Sequence, residues 1–358
     1  MFDVKAHLKK LVEAHGPSGY ETPVRMILSE EWRGVTDEQT VDGLGSLIGI
    51  KKATRTGDAP ARKIMLAAHM DEIGMLVRDI VDGFIYITRL SGVDNRVMLS
   101  QTVMVHGRAG KHFPGIVAAV PPHLLTEAQR QKYPTWDELI VDVGLPAAEV
   151  DKWVRIGDPV TCDVPMLELM GNKIAAKAMD DRACVAIVTA CLNELSNMHH
   201  RWDVYAVGTV QEETGLYGAS TSAELINPDI AIALDVGFAK QPGVEGDELG
   251  GGPVLAIGPN LHPKLTEKLR ECAKRYDIKI QDEALSGHTG TDAWAIQIAR
   301  NGIPTALFSL PLRNMHSPIE TADLRDIERT ARLLALFIAG LEDDFMDALA
   351  WDDLKAKA

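Results

Sequence analysis

The sequence has few cysteines, no long apolar run and no apolar leader at its start. Four cysteines (Cys162, Cys184, Cys191 and Cys272) form no C-x-x-C pair, which excludes a disulfide framework and favours a reducing, cytoplasmic compartment. Cys184 and Cys191, seven residues apart, are predicted to be small core residues. The longest near-continuous apolar stretch, residues 333–341, is too short to cross a bilayer. We therefore expect a cytoplasmic protein without a membrane partner.

Basic residues are outnumbered by acidic ones. The chain has 37 Lys and Arg against 51 Asp and Glu, a net charge of −14. A surface of this sign repels phosphate backbones, so we expect no nucleic-acid partner. With 46% apolar and 25% charged residues, the composition excludes a disordered chain. A length of 358 residues suggests about two domains.

Two kinds of pattern divide the chain. Residues 1–70 and 165–358 alternate apolar strands with helices, which predicts an α/β body with a mostly parallel sheet and helices on both faces. Residues 71–164 carry short alternating runs separated by Gly, Pro and Asp, which predicts an inserted β-rich domain. The predicted helices cover 3–14, 22–32, 182–195, 263–276, 292–300 and a last segment from about 323. The predicted strands of the body cover 41–51, 63–68, 173–178, 202–210, 229–234, 254–257, 279–282 and 304–309.

Ligands bind beyond the carboxyl ends of parallel strands, so polar residues that follow apolar strands are the candidate site residues. His69 and Asp71 follow the strand at 63–68, where they suit either a metal ligand with an orienting carboxylate or a surface turn. Asp180 and Asp181, followed by Arg182, precede a helix. Helix capping explains one aspartate, whereas a metal-bridging carboxylate explains why a second is adjacent.

Three further strand ends carry similar residues. Glu212 and Glu213 are adjacent, so one can ligate a cation while the other takes a proton from water; a solvated acidic turn is the alternative. Asp235 interrupts an apolar run, and Asp is rarely buried unless it is paired or bound to metal. His316 stands beside Ser-Pro and, taken alone, is typical of a structural histidine.

The strength of the prediction comes from the set as a whole. Two imidazoles and three carboxylates suit two divalent ions (zinc, cobalt or manganese) that share one bridging carboxylate. Such ion pairs occur in aminopeptidases, phosphatases and nucleases. Glu212 is then left over as a general base, and the absence of H-E-x-x-H argues against a single-zinc enzyme. The predicted ligands are His69, Asp180, Glu213, Asp235 and His316.

At these residues the sequence resembles the metallopeptidase family that contains glutamyl aminopeptidase and the tetrahedral (TET) self-compartmentalising aminopeptidases. The resemblance extends over nearly the whole chain. Its motifs are AHMDEIG at 68–74, PPHL at 121–124, VQEE at 210–213 and GTD at 290–292. It implies a zinc-exopeptidase body with an inserted β-barrel or PDZ-like module used for oligomerisation or as a lid.

The resemblance also implies a role for each candidate ligand. His69 and Asp235 would hold one metal ion, and Glu213 and His316 the other. Asp180 would bridge the two ions. The family activity implied is removal of N-terminal residues, one at a time, from short peptides with a free N-terminus.

The remaining roles and the assembly follow from the same resemblance. Glu212 would be the catalytic base and Asp71 would orient His69. Dimers would build a twelve-subunit tetrahedron whose sites face an inner cavity that admits peptides and excludes folded proteins. The expected partners are therefore short peptides and further copies of the chain.

Two other functions fit the same residues. A related two-metal amidohydrolase would deacylate N-acyl amino acids and would not need a free α-amine. A scaffolding protein with an inactive site would have no need of both a complete ligand set and Glu212, and it need not hold two ions per chain.

Overall fold

An eight-stranded sheet, built from both ends of the sequence, forms the centre of the body. The computed structural model describes residues 2–54 and 60–351, so residues 55–59 and 352–358 of the predicted body lie outside the described residues. The strands of this sheet are β1 (Glu38–Val41), β2 (Leu47–Lys51), β3 (Lys63–His69), β12 (Asp203–Thr209), β13 (Ile230–Phe238), β14 (Val254–Ile257), β15 (Gln281–Ala284) and β16 (Thr305–Leu312). Their spatial order is β1-β2-β12-β3-β13-β16-β14-β15.

Most neighbours in this sheet run parallel, as the sequence predicts. The parallel pairs are β12–β3, β3–β13, β13–β16 and β14–β15. The antiparallel pairs are β1–β2, β2–β12 and β14–β16. The parallel strands β12, β3, β13 and β16 are consecutive in space, so their carboxyl ends meet at one edge.

Helices cover both faces of the sheet. The helices of the body are α1 (Val4–Glu13), α2 (Thr22–Trp32), α5 (Met179–Leu195), α6 (Tyr217–Ile226), α7 (Pro263–Arg275), α8 (Asp292–Gln297), α9 (Leu324–Ala339) and α10 (Phe345–Leu349). Two short helices, α3 (Glu127–Arg130) and α4 (Ala147–Trp153), lie in the inserted domain. Alternate residues of β3 face opposite cores because side chains in a strand alternate. Ile64 and Leu66 pack in the core with α1, α5 and α9, whereas Met65 and Ala67 pack in the core with α6 and α8.

Local signals explain where most helices begin. The Asp3 carboxylate accepts a hydrogen bond from the Ala6 N–H at 2.9 Å, and the Asp323 carboxylate caps α9 in the same way. The helix predicted at 292–300 is shorter and ends at Gln297; the chain that follows has a left-handed backbone at Arg300 (φ +55°) and Gly302 (φ +98°).

Two strand predictions were wrong. The predicted strand 41–51 is interrupted: residue 41 ends β1, residues 47–51 form β2, and residues 42–46 form the turn between them. The Asp42 carboxylate closes this turn by accepting hydrogen bonds from the N–H groups of Leu44, Gly45 and Ser46. Residues 173–178 do not join the main sheet. Their strand belongs to a separate antiparallel sheet of β10 (Leu167–Glu168), β11 (Lys173–Ala176) and β17 (Glu320–Asp323). A short buried apolar run does not reveal which sheet it joins.

The inserted β-rich domain is a closed barrel, as expected. Its strands are β4 (Gly74–Val81), β5 (Phe84–Leu90), β6 (Thr102–His106), β7 (His112–Ala118), β8 (Ile140–Asp142) and β9 (Pro159–Cys162). They close in the order β4-β5-β8-β7-β6-β9. Inward apolar side chains, among them Val77, Ile87 and Val105, fill the interior. Only four residues separate the end of β3 from the start of the barrel, so the barrel begins beside the edge where the strands of the body end.

The cysteines are free thiols, and Cys184 and Cys191 are buried core residues as predicted. Burial raises the pKa of Cys162 to about 12 and that of Cys272 to about 11, so both remain protonated at neutral pH. No helix within residues 2–54 and 60–351 is long and apolar enough to span a bilayer.

Candidate metal centre

Strand register brings the predicted residues to one edge of the main sheet. Thr209, at the end of β12, lies opposite His69, at the end of β3. Glu212 and Glu213 follow Thr209 directly. Asp235 lies near the end of β13, the neighbour of β3 on its other side. The next strand in space is β16, and His316 follows it in the chain.

Asp180 lies between two imidazoles. Its Oδ1 is 3.1 Å from His69 Nε2, and its Oδ2 is 3.2 Å from His316 Nε2. The Asp180 N–H donates to one oxygen of buried Glu320 at 3.0 Å, and the His316 N–H donates to the other at 2.7 Å. The bond between Asp180 and Asp181 is cis. One carboxylate therefore contacts both histidines, and Glu320 holds the backbone on either side of the contact.

The two adjacent glutamates face different histidines. Glu213 Oε1 is 3.6 Å from His316 Nε2, and Glu212 Oε2 is 3.8 Å from His69 Nε2. The Asp71 carboxylate accepts hydrogen bonds from the N–H groups of both glutamates, at 3.1 and 3.2 Å. Asp71 thus holds the turn that carries them.

Asp71 also reaches His69. His69 Nδ1 lies 3.1 Å from the Asp71 carbonyl oxygen and 3.4 Å from its carboxylate. The Ser18 hydroxyl donates to the same carboxylate at 2.6 Å. Burial would raise the pKa of Asp71, but the hydrogen bonds from His69 and Ser18 outweigh it and lower the pKa. The carboxylate is therefore fixed in its charged form beside the imidazole.

Asp235 completes the set and is joined by an aspartate that sequence analysis did not select as a ligand. A nitrogen of His69 and one oxygen each from Asp181 and Asp235 lie within 4.8 Å of one another. The same is true of His69, Asp180 and Glu213. His69 is common to both groups. The structure thus brings all five predicted ligands together around His69 and His316.

Several non-glycine residues beside these ligands have a left-handed backbone. Ala178 precedes the aspartate pair (φ +55°), Gln211 precedes the glutamates (φ +57°), and His316 itself has φ +59°. Such conformations cost on the order of 1–3 kcal/mol each and persist where the surrounding structure imposes them, commonly at functional sites.

Burial and mutual repulsion raise the pKa values of Glu212, Glu213 and Asp235 when no cation is present, whereas the contacts with His316 and His69 lower the pKa of Asp180. Burial raises the pKa of Glu212 to about 11 and that of Glu213 to about 7. Burial likewise raises the pKa of Asp235 well above its usual range. A hydrogen bond to Asp180 raises the pKa of His316 to about 9. Positive charge supplied from outside would let these carboxylates ionise together.

The ligands open into a cleft of about 480 Å³, a volume typical of small-molecule sites. Asp180, Glu212, Glu213 and Asp235 line one side of it. Apolar side chains, among them Phe238, and polar ones, among them His288 and Ser309, also line the cleft.

The family model described as M42 glutamyl aminopeptidase matches residues 45–333. The chain belongs to this family. It is 38% identical to the lysyl aminopeptidase of Pyrococcus furiosus, over 94% of this chain and 96% of that protein. This family assignment confirms the resemblance expected from the sequence, and it makes the chain a peptidase.

Solved structures of M42-like proteins share the fold over nearly the whole chain. The TET aminopeptidase of a marine sediment archaeon, Thaumarchaeota archaeon SCGC AB-539-E09, superimposes with a TM-score of 0.90 at 32% identity, covering 97% of this chain and 99% of that one. A TET peptidase of Pyrococcus horikoshii, which can assemble into a tetrahedron or a large octahedral shell, gives 0.83 at 29% identity, with coverages of 95% and 100%.

Membership of this metallopeptidase family implies divalent metal ions, and the residues present fit them. Imidazole nitrogens and carboxylate oxygens are ligands of zinc, cobalt and manganese. Two buried carboxylate oxygens of the cluster, Asp181 Oδ1 and Glu213 Oε1, have no hydrogen-bond partner, and such oxygens normally have one. A bound cation would give both oxygens the partner that they lack.

Sequence analysis missed several residues of this M42 centre. Asp181 was not among the predicted ligands, although the two adjacent aspartates themselves indicated a metal-binding carboxylate. Asp292, in the GTD motif, is buried and accepts a 2.6 Å hydrogen bond from the Thr209 hydroxyl. Glu320 and Ser18 carry no local signal, because each acts through contacts distant in sequence.

The metal-free protein is expected to become less stable as pH rises from 7 to 9. The folded pKa values of Glu212 (about 11) and His316 (about 9) lie above their unfolded values, so the folded state binds more protons. Each group contributes its full stabilisation when the pH is below its pKa in the unfolded chain. That contribution is lost as the pH rises through its pKa in the folded protein. Melting temperatures in EDTA should fall over this window.

Added zinc or cobalt should remove most of that slope, because the ions displace the same protons. Glu212→Gln provides the matched control, since it removes one of the titrating groups and should reduce the fall in metal-free protein. A melting temperature that is flat or rises between pH 7 and 9 in EDTA would contradict this reasoning.

Proposed function

We propose that the chain removes N-terminal residues one at a time from short peptides, with two divalent metal ions and Glu212 as the general base. The observation that supports this most is the position of Asp180, whose two oxygens contact His69 and His316 at 3.1 and 3.2 Å. A carboxylate between two imidazoles is the arrangement that a shared, bridging ligand requires. Family membership supports hydrolysis at the peptide N-terminus.

In this proposal His69 and Asp235 hold one ion, Glu213 and His316 hold the other, and Asp180 is shared. Asp181 lies close enough to His69 and Asp235 to support the first group. Zinc or cobalt, and also manganese, are compatible with this mixture of nitrogen and oxygen donors. When bound, the ions polarise a peptide carbonyl and lower the pKa of a water molecule.

Glu212 is placed to move the proton. Its carboxylate is 8% exposed, lines the cleft and lies 3.8 Å from His69 Nε2. As general base it accepts a proton from the attacking water, and it then donates that proton to the nitrogen of the leaving peptide. Asp71 orients His69 and fixes the backbone of Glu212 through the hydrogen bonds described above.

A peptide panel tests this function. Short peptides with free or acetylated N-termini are incubated with metal-free enzyme and with enzyme given cobalt or zinc. We expect stepwise release of single residues from free N-termini only, and only with metal, because the family acts at the peptide N-terminus. Cleavage of the acetylated series alone would indicate a deacylase, and no cleavage of either series would indicate a binding protein.

We further propose a homo-oligomer, a tetrahedral dodecamer built from dimers, in the cytoplasm. Structural neighbours of this family form a dodecamer or a tetrahedron. Residues 71–164 would serve as the oligomerisation or lid domain inserted between 1–70 and 165–358. Its apolar side chains Ile116, Val120 and Leu124 are more than half exposed, as expected of a surface that another subunit covers. The four free cysteines support the cytoplasmic location.

A further inference from the structure

The cleft contains one carboxylate that the metal centre does not use. Glu283, on β15, is half-buried and accepts a 2.6 Å hydrogen bond from the Ser309 hydroxyl. Ser309 lies directly opposite Asp235 on the neighbouring parallel strand, at a spacing of roughly 5 Å. Both Ser309 and Glu283 line the cleft. Glu283 thus faces the space beside the proposed ligands without belonging to them.

The same cleft also has an apolar wall. Val236, Phe238, Leu285 and Met315 line it, and Phe238 is 56% exposed. These side chains can pack against the aliphatic stem of a long substrate side chain. Among the described residues that line the cleft, Glu283 is the one carboxylate outside the proposed metal centre, so it is the negative group available to a charge at the end of such a stem.

Gly237 keeps the approach to Glu283 open. A Cβ added at this position would lie 3.0 Å from Ser309 Cβ and 3.5 Å from Glu283 Oε1. Any larger side chain would therefore occupy the space in front of the carboxylate. Because Gly237 has no side chain, β13 passes the cleft at this position without filling it.

The charge on this side of the cleft is negative. Among the described residues that line the cleft there is no Lys or Arg, so Glu283 has no basic partner there. Burial, together with the charge of Glu283, raises the pKa of nearby Asp247 to about 6. A carboxylate beside apolar side chains attracts a cation carried on a long flexible aliphatic stem.

We propose that Glu283 is a specificity-determining residue that selects peptides with N-terminal lysine or arginine. The methylene groups of such a residue would pack along the apolar wall, and its charged end would reach Glu283. This inference rests on the proposed aminopeptidase function, because it assigns the N-terminal side chain of the substrate to this cleft.

The test compares substrates that differ only in the terminal charge. The peptides are Lys-Ala-Ala and norleucine-Ala-Ala, which share the same four-carbon stem, assayed with metal-loaded enzyme. We expect wild-type kcat/KM to favour lysine by at least about tenfold, the scale of a hydrogen bond to a charged group. Glu283→Gln keeps the size of the side chain and an acceptor for Ser309 but removes the charge. It should lower kcat/KM for lysine about 10- to 100-fold and leave norleucine within twofold.

Asp282→Asn is the matched control. Asp282 is the adjacent residue of β15, but its carboxylate pairs with Arg270 at 2.7 Å and does not line the cleft. This variant should keep the wild-type preference. Equal loss on both peptides in Glu283→Gln, or a wild type without preference for lysine, overturns the assignment of Glu283 and leaves the aminopeptidase function standing. Failure of wild type to cleave either peptide overturns that function and this inference together.

Discussion

Glu212→Gln is expected to retain two metal ions per chain and to hydrolyse peptides about 10²- to 10⁴-fold more slowly than wild type. Glutamine has the size of glutamate, and Glu212 is not among the five proposed ligands, so the cluster around Asp180 should persist. The amide cannot accept the proton of the attacking water. The loss should appear in kcat rather than in KM, since the side chain acts in the transition state.

The measurement pairs steady-state kinetics with metal content by mass spectrometry on the same preparation. Glu248→Gln serves as the control, because its side chain is 63% exposed and contacts Lys240 away from the cluster. That variant should match wild type in both readings. Loss of metal from Glu212→Gln would make Glu212 a ligand, and near-normal turnover would exclude it as the base.

The proposed ligands were predictable because a parallel sheet gathers the carboxyl ends of its strands. His69 ends β3, Glu213 follows β12 and Asp235 lies near the end of β13, and these three strands are consecutive in space. Apolar periodicity therefore predicted that the three side chains lie at the same edge. Asp180 was found for a different reason. The strand that precedes Asp180, β11, lies in another sheet. Asp180 is in the first turn of α5, and this turn places it beside His69. Asp180 lies beside the other candidate ligands, although its structural context was predicted incorrectly.

Residues that act through long-range contacts could not be found in this way. Glu320 is 140 positions from Asp180 and reaches it because β17 pairs with β11. Ser18 lies in the turn after α1 and donates to Asp71, 53 positions later. A single sequence carries no periodicity that reports such pairings. Buried hydrogen bonds of this kind depend on the tertiary packing.

The residues on the substrate side of the cleft could not be predicted from the sequence either. Glu283 belongs to β15, whose predicted position, 279–282, differs from the observed Gln281–Ala284. The predicted strand ends at residue 282, one position before Glu283, so the prediction did not include Glu283 in the sheet. The contact with Ser309 crosses from β15 over β14 to β16, and only the structure reveals it.

Asp180→Ala is expected to lose both metal ions, whereas Asp235→Ala should lose only one. Asp180 contacts His69 and His316 at the same time, so its removal takes a donor from both groups of ligands. Removing a residue that merely supports a ligand costs about 10- to 100-fold in metal affinity, and loss of a shared ligand should exceed that. Asp235 contributes only to the group around His69 and Asp181.

Metal titration by calorimetry, with mass spectrometry of the bound ions, separates the two variants. Asp203→Ala serves as the control, because Asp203 begins β12 at the opposite end of the strand from the cluster and contacts the backbone of Ala53. Circular dichroism must show that each variant is folded before its metal content is interpreted. Two ions retained by folded Asp180→Ala would contradict the shared-ligand role, and equal losses in both variants would mean that the two ions bind only as a pair. Because activity is not the readout, this experiment tests the metal centre independently of the reaction proposed for it.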